Sequence, residues 1–270
     1  MSNYNTSPFQ WAGGKGKALN HLLPILEKHR KPIFVEPFVG DANVSLNFDA
    51  EYYIWNDLNR DLMGSYRIML DCPDTYLSFC EAFFNCGSDA YTDLRKRFNS
   101  KSDASVVRAA LFQYLNKHGF NGLCRYNSKG SFNVPVGTVT TKPKSVPEKA
   151  IRFLNERHQY NTTLYNTGFD VLFKLSHKEE LIYSDPPYVP LTSDFKYTAE
   201  GFGKAEHELL KKLSKESTCT SIISNHWTPY TEELYSDADE IHLFDVQRTI
   251  SCDGGNRKKV QECVVVYLGE

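Results

Sequence analysis

The chain has 270 residues, of which 41% are hydrophobic and 24% charged, and its formal net charge is −2. This length and composition predict a globular protein, preferably one α/β domain with a substantial insertion rather than two small domains, and they exclude extensive disorder. The net charge gives no sign of a polyanionic partner.

The N-terminal residues 1–7 lack the basic and apolar regions of a signal peptide. No apolar run approaches the ~18 residues needed to span a bilayer, so we expect a cytoplasmic protein with no membrane partner. Seven cysteines occur without a C-x-x-C pair or a His/Cys cluster at metal spacing. They predict neither a disulfide nor a bound metal.

The first strand-turn-helix unit is predicted at residues 33–40, with a buried strand over 33–36 and a helix beginning near Asp41. A second strand over 52–56 ends at Asp57. An acidic residue roughly 20 positions after such a turn commonly binds ribose hydroxyls. Asp57 could equally serve as the N-cap of a helix beginning at Leu58, and the two roles are compatible.

Residues 58–118 have helical periodicity, and the Gly-, Asn- and aromatic-rich residues 119–137 predict a structured loop or hairpin. Strands are then predicted at 162–165, 180–184 and 219–224, and strands over 241–246 and 263–267 should pair antiparallel. The fold prediction is therefore α/β, with a mostly parallel sheet, helices on both faces and an antiparallel C-terminal strand. We expect a catalytic domain formed by 1–57 and 150–270, and a mainly helical recognition insertion over 58–149.

The tetrapeptide Asp185-Pro186-Pro187-Tyr188 directly follows the predicted strand 180–184. Open α/β sheets carry their chemistry at the carboxyl ends of such strands. A ring-conjugated amino group attacks poorly until acceptors draw its lone pair out of conjugation. The Asp185 carboxylate and the Pro186 carbonyl could be those acceptors, and Tyr188 could stack on the base. The alternative is a Pro-Pro turn that merely closes the strand.

Basic residues are concentrated between positions 95 and 144, where Asp103 is the acidic residue. The segment predicts either a phosphate-contacting surface or a solvated charged face. Its basic side chains are Arg95, Lys96, Arg97, Lys101, Arg108, Lys117, Arg125, Lys129, Lys142 and Lys144. Further along, His226 at a strand end could be a general base, although a hydrogen-bonded polar residue is the preferred interpretation.

A set of short motifs resembles, in order and over nearly the whole chain, the Dam-type DNA adenine-N6 methyltransferases, which methylate adenine in GATC. The motifs are Trp-Ala-Gly-Gly-Lys at 11–15, Phe-Val-Glu-Pro-Phe-Val-Gly at 34–40, Asn-Gly-Leu-Cys-Arg-Tyr-Asn at 121–127, Phe-Asn-Val-Pro at 132–135, Asp-Pro-Pro-Tyr at 185–188, Ile-Ser-Asn-His at 223–226 and Gly-Gly-Asn-Arg-Lys-Lys at 254–259. The chain departs from the family in having Gln10 in place of Lys, Phe120 in place of Tyr, and Thr138-Val139 in place of Arg-Tyr.

The resemblance implies a class I methyltransferase-like fold and S-adenosyl-L-methionine as methyl donor, with S-adenosyl-L-homocysteine as product. The residues that it implies for donor binding are Trp11, Lys15, Glu36, Pro37, Gly40, Asp57, Phe169, Asp170 and Asp185. From the residues themselves, a lone Gly40 without a G-x-G-x-x-G pattern argues against a dinucleotide and suits a cofactor without phosphate.

The resemblance also implies double-stranded DNA containing GATC as the partner and a flipped-out target adenine. It places Phe120 as the aromatic residue that fills the gap in the duplex. The implied DNA-binding residues are Phe120, Asn121, Leu123, Arg125, Asn127, Asn133 and Pro135. The Arg125 guanidinium could read guanine O6 and N7, or it could clamp a phosphate. We expect the protein to act as a monomer.

Two other functions are compatible with parts of the sequence. Pro-Pro-Tyr motifs also occur in methylation of glutamine side chains or RNA bases, but Asp185 and the basic segment favour DNA. A non-catalytic DNA-binding regulator is the third hypothesis, and the intact Asp-Pro-Pro-Tyr motif argues against it.

Overall fold

The computed structural model describes residues 4–11, 13–138, 144–191, 202–247 and 259–269. The strands described there form a seven-stranded sheet in the order β3-β2-β1-β4-β5-β7-β6. They are β1 (Ile33–Glu36), β2 (Tyr52–Asn56), β3 (Thr162–Tyr165), β4 (Glu180–Ser184), β5 (Thr220–His226), β6 (Glu240–Gln247) and β7 (Lys259–Tyr267). The α/β fold class and each strand predicted from the sequence are confirmed.

The central strands are parallel and the last two are antiparallel. β1 pairs in parallel with β2 and β4, and β4 pairs in parallel with β5. β7 is antiparallel to both β5 and β6, as predicted. Every residue of β4 is buried, because a central parallel strand is covered on both faces.

Nine α-helices occur in the described residues. They are α1 (Leu19–Lys28), α2 (Arg60–Asp71), α3 (Pro73–Phe84), α4 (Tyr91–Ser100), α5 (Ser105–His118), α6 (Glu148–His158), α7 (Phe169–Leu175), α8 (Lys204–Glu216) and α9 (Pro229–Leu234). Short 3₁₀ helices cover Lys15–Lys17 and Phe120–Gly122. None of the described helices is long and apolar enough to cross a membrane.

The chain divides into two compact units. The helical unit comprises residues 1–14, 40–46 and 57–166, and the sheet unit comprises 15–39, 47–56 and 167–270. This division assigns 1–14, 40–46 and 150–166 to the helical unit, whereas the predicted catalytic domain includes them. The functional boundaries at 57/58 and 149/150 remain a prediction.

Each unit has an apolar core of its own. In the sheet unit, Ile182, Ile223 and Val265 from neighbouring strands are fully buried in one cluster. In the helical unit, α5 is buried along most of its length, and Phe112 on it packs against Phe9 with ring centroids 5.6 Å apart. Such burial of apolar side chains is the main stabilising contribution to each unit.

The prediction of a helix beginning near Asp41 is wrong. Residues 41–48 form successive turns and a bend. The φ angles of Gly40 and Ala42 are +48° and +58°, and the Asp41 Oδ1 atom accepts a hydrogen bond from the Asn43 N–H. Positive φ is incompatible with a right-handed helix, and the Asp side chain stabilises a turn instead.

The N-cap alternative for Asp57 is also wrong, since α2 begins two residues later than that alternative requires. Asn59 is the cap, and its Oδ1 accepts from the N–H groups of Asp61 and Leu62. Asp57 supports this cap through its Oδ1, which accepts from the Asn59 N–H at 2.8 Å.

Candidate active site and candidate nucleic-acid interface

Asp185 follows the last residue of β4, so the buried strand fixes where its carboxylate lies. Its Oδ1 is 2.8 Å from the Lys15 Nζ, and the two side chains are 22% and 7% exposed. Burial raises the pKa of Asp185, while the Lys15 ammonium opposes this shift. The result is an acceptor with little access to water, held in place by one cation.

Tyr188 is fixed on several sides within the sheet unit. Its hydroxyl donates to the Glu262 Oε2 at 3.3 Å. The Lys15 Nζ lies 4.4 Å from the ring centroid, and the His226 ring packs against it edge-on at 4.7 Å. Burial, and then the charge of Asp185, raises the pKa of Tyr188 well above its usual value, so the phenol stays neutral.

The ends of β1 and β2 are joined by a buried amide that sequence reasoning missed. The Asn56 Nδ2 donates to the carbonyls of Pro37 at 2.9 Å and Thr167 at 3.1 Å, and its Oδ1 accepts from the Thr167 N–H. Glu36, the last residue of β1, directly precedes Pro37 and is buried. A polar residue ending an apolar strand was the available signal for Asn56.

Phe169 and Asp170 lie in the first turn of α7 and are engaged locally. The Phe169 ring is buried and packs on Phe38 at 5.3 Å. The Asp170 carboxylate accepts from the Lys174 Nζ at 2.7 Å, and this hydrogen bond holds the pKa of Asp170 below its usual range.

Three of the predicted donor-binding residues meet in the helical unit. The N–H of Gly40 donates to the Asp57 Oδ2 at 3.2 Å, and the Tyr66 hydroxyl donates to the Gly40 carbonyl at 2.7 Å. A Cβ atom at Gly40 would lie 3.1 Å from Cδ1 of Trp11. The indole therefore packs directly on the backbone of Gly40, which explains why a glycine with positive φ occupies this position.

The seven predicted DNA-binding residues lie on one hairpin, residues 119–137, which we call the recognition hairpin. Its arms are joined by bridges between Gly119 and Val136 and between Tyr126 and Phe132. Phe132 and Val134 are buried, whereas the adjacent Pro135 is exposed. Phe120 near the base is also exposed, at 46%.

Arg125 is held in place within this hairpin. Its Nε donates to the Asn133 Oδ1 at 2.8 Å, and the Asn133 N–H donates to the Arg125 carbonyl at 3.0 Å. Asn127 builds the tip, since its Oδ1 accepts from the N–H groups of Lys129 and Ser131. Asn127 is therefore a turn-forming residue as well as a candidate DNA contact.

Two asparagine side chains attach the recognition hairpin to the rest of the helical unit. The Asn99 amide both accepts from the Phe132 N–H at 2.8 Å and donates to the Phe132 carbonyl at 3.0 Å. The Asn116 amide accepts from the Gln10 N–H at 2.9 Å, and it donates to the carbonyls of Gln10 at 2.7 Å and Gly122 at 3.2 Å. These hydrogen bonds fix both arms of the hairpin to the helical unit.

Much of the basic segment is engaged inside the helical unit. Arg97 pairs with Asp103 and Arg108 with Asp61, both at 2.7 Å, and Arg95 donates to the Val134 carbonyl. Burial, followed by repulsion from Lys144, lowers the pKa of Lys117 to about 8. Arg95 and Arg108 are half-buried, whereas the Arg97 side chain is 48% exposed. Lys142, Val139 and most of the motif at 254–259 lie outside the described residues.

Comparison with known proteins places this chain in a family. The model of the D12 class N6 adenine-specific DNA methyltransferases matches residues 11–250. A DNA adenine methylase of Vibrio cholerae is 37% identical over 268 residues, covering 96% of this chain and 94% of the relative. Those of Escherichia coli K12 and Haemophilus influenzae are 37% and 35% identical, and the alignments cover 97% and 96% of this chain and 95% and 93% of the relatives.

The chain belongs to the D12 class N6 adenine-specific DNA methyltransferases. The recognition made from the motifs is thereby confirmed, and so is the prediction of an adenine-specific DNA methyltransferase. Methylation of glutamine or RNA and a purely regulatory role are not the family's function.

Proposed function

We propose that the protein methylates N6 of adenine in duplex GATC after the base has been flipped out of the helix, with S-adenosyl-L-methionine as donor. The observation that carries this proposal is the shielded Asp185 carboxylate, paired with Lys15 at the end of β4. The donor would supply an electrophilic methyl group on a sulfonium and leave as S-adenosyl-L-homocysteine.

In this proposal the catalytic residues are Asp185, Pro186, Pro187 and Tyr188. The Asp185 carboxylate and the Pro186 carbonyl accept the two N6 hydrogens, which draws the nitrogen lone pair toward the methyl carbon. No hydrogen bond from a described residue occupies the Pro186 carbonyl. The N–C bond forms as the C–S bond breaks, and one N6 proton then passes to Asp185 or to solvent.

We propose that Trp11, Lys15, Glu36, Pro37, Gly40, Asp57, Phe169, Asp170 and Asp185 form the donor-binding set. Asp57 would accept from the ribose hydroxyls, which is the usual role of an acidic residue ending the second strand of such a sheet. No group of three or more metal-binding side chains occurs among the described residues, and the proposed chemistry needs none.

We propose further that the recognition hairpin reads GATC, with the protein acting as a monomer on double-stranded DNA. Arg125 would address guanine, Leu123 and Pro135 the thymine methyls, and Phe120 the gap left by the flipped base. Asn121, Asn127 and Asn133 complete the set. The support for Arg125 is its exposed fork, already oriented by Asn133.

The proposal is tested with labelled S-adenosyl-L-methionine and a GATC duplex, followed by a nuclease that GATC methylation blocks. We expect label transfer and protection, and no transfer to a duplex in which the adenine is replaced. Asp185→Ala should lose turnover while donor binding stays at least partly intact. Asp74→Ala, which removes an 84% exposed carboxylate, is the matched control and should retain full activity. Full activity of Asp185→Ala would contradict the mechanism.

A further inference from the structure

The Ser-Asn-His sequence at the end of β5 takes no part in the proposed chemistry, yet it lies beside the catalytic tetrapeptide. Ser184, the last residue of β4, is in register with Ile223 of β5. β5 therefore extends past β4 by the residues Ser224 to His226, alongside the point where the chain leaves β4. On its other side, this extension pairs with β7 from Val264 to Glu262.

Each of the three side chains binds the segment that contains the tetrapeptide. The Ser224 hydroxyl is 2.8 Å from the Tyr183 hydroxyl, two residues before Asp185. The Asn225 Oδ1 accepts from the Val189 N–H at 3.0 Å. The His226 Nδ1 lies 2.7 Å from the Val189 carbonyl, so this nitrogen carries the proton and donates. Both backbone polar groups of the residue after Tyr188 are thus bound.

The groups that bind the segment are themselves held rigidly. Asn225 is fully buried, and its Nδ2 donates to the Tyr235 hydroxyl at 3.2 Å. Its Oδ1 also accepts from the His226 N–H at 2.9 Å. The His226 ring, oriented by its bond to Val189, packs edge-on against the Tyr188 ring.

We propose that Ser224, Asn225 and His226 are positioning residues for methyl transfer, which fix the segment 183–189 at both ends. This inference rests on the proposed function of Asp185 to Tyr188. Residues 185–189 lie beyond the end of β4, where no backbone hydrogen bonds between the described strands hold them. Hydrogen bonds from the side chains of Ser224, Asn225 and His226 take their place. Displacement of a reacting group by about 1 Å can cost about 100-fold in rate.

The role of His226 is tested by exchanging its two nitrogens separately. Asn places an amide N–H near the position of Nδ1, whereas Gln reaches the position of Nε2. We expect His226→Ala to lower the single-turnover methylation rate by about 10- to 100-fold, with donor and DNA dissociation constants changed far less. His226→Asn should recover most of the rate, and His226→Gln should not.

Controls separate positioning from stability and from the proposed function. Rates are measured well below the melting temperature of each variant, and His242→Asn on β6, whose ring bonds Glu240, should match the wild type. Ser224→Ala gives a second variant, for which we expect a slower single turnover. A full rate in both His226→Ala and Ser224→Ala overturns the proposal, as does Gln rescuing better than Asn. Absence of methyl transfer by the wild type would overturn the proposed function itself, and the positioning role with it.

Discussion

Replacing Lys15 with Met should expose how strongly Asp185 depends on one cation. The two charges are 2.8 Å apart, and the lysine side chain is 7% exposed. Removing one partner of a buried ion pair typically costs about 3–5 kcal/mol, because the other charge is left uncompensated. Asp185 is 22% exposed, so we expect a loss near the lower end, about 3 kcal/mol at pH 8.

This loss should depend on pH, and its sign follows from the direction of the pKa shift. Burial already raises the pKa of Asp185 in the folded protein, and loss of Lys15 raises it further. A carboxyl group with a raised folded pKa destabilises the protein as pH rises through that pKa, and is harmless below the unfolded value. The difference between wild type and Lys15→Met should therefore shrink at pH 5.

Urea unfolding at pH 5 and pH 8 measures the stability difference between the wild type and Lys15→Met. Single-turnover methylation rates from pH 5 to 9 report on the protonation of Asp185. The acid limb of the rate profile should move to higher pH in Lys15→Met. Lys15→Arg retains the charge and should move the limb far less, and Lys17→Met, which removes an exposed lysine nearby, should leave it unchanged. The same stability loss at both pH values, together with an unmoved acid limb, would refute this reasoning.

Gly122→Ala should destabilise the protein more than Gly130→Ala in thermal melts. Both glycines have positive φ, but a Cβ atom at Gly122 would clash with the Gln10 Cβ. Equal losses would exclude the clash. Burial lowers the pKa of His158 to about 3. The unfolded chain therefore takes up a proton that the folded protein does not, and the unfolding free energy should fall by about 1.4 kcal/mol per pH unit from about pH 6.5 toward pH 3. His158→Gln should flatten this slope in urea titrations. Arg125→Ala should lose about 1–3 kcal/mol of discrimination against a replaced guanine if it reads that base. A uniform loss over all duplexes, with a salt slope smaller by about 1, would identify a phosphate clamp instead.

The strands of the sheet could be predicted from the sequence because a buried strand appears as a short run of apolar residues. Two patterns could be recognised without any long-range information. One is the apolar run of β4, and the other is the Gly-, Asn- and aromatic-rich composition of residues 119–137. The helix prediction near Asp41 failed because Ala42 adopts a left-handed backbone conformation, and an alanine in the sequence does not indicate that conformation.

The partners of the site residues could not be predicted, because they come from distant parts of the chain. Lys15, which forms the ion pair with Asp185, lies near the N-terminus. Glu262, which accepts the hydrogen bond from Tyr188, lies in the last strand. Asn225 was visible only as part of a motif, with no indication that its amide binds Val189. These pairings join residues that are far apart in the sequence, and only the tertiary fold brings them together.

The Asn116 amide has a practical consequence for anyone who wishes to alter the sequence preference of this protein. Because it ties Gly122 to Gln10, which lies 106 residues before Asn116 in the chain, the recognition hairpin is not a self-contained cassette. Transplanting residues 119–137 alone into a relative would separate the hairpin from its tether. A chimera that preserves the geometry of the hairpin should therefore include α5 and the N-terminal residues around Gln10 from the same protein.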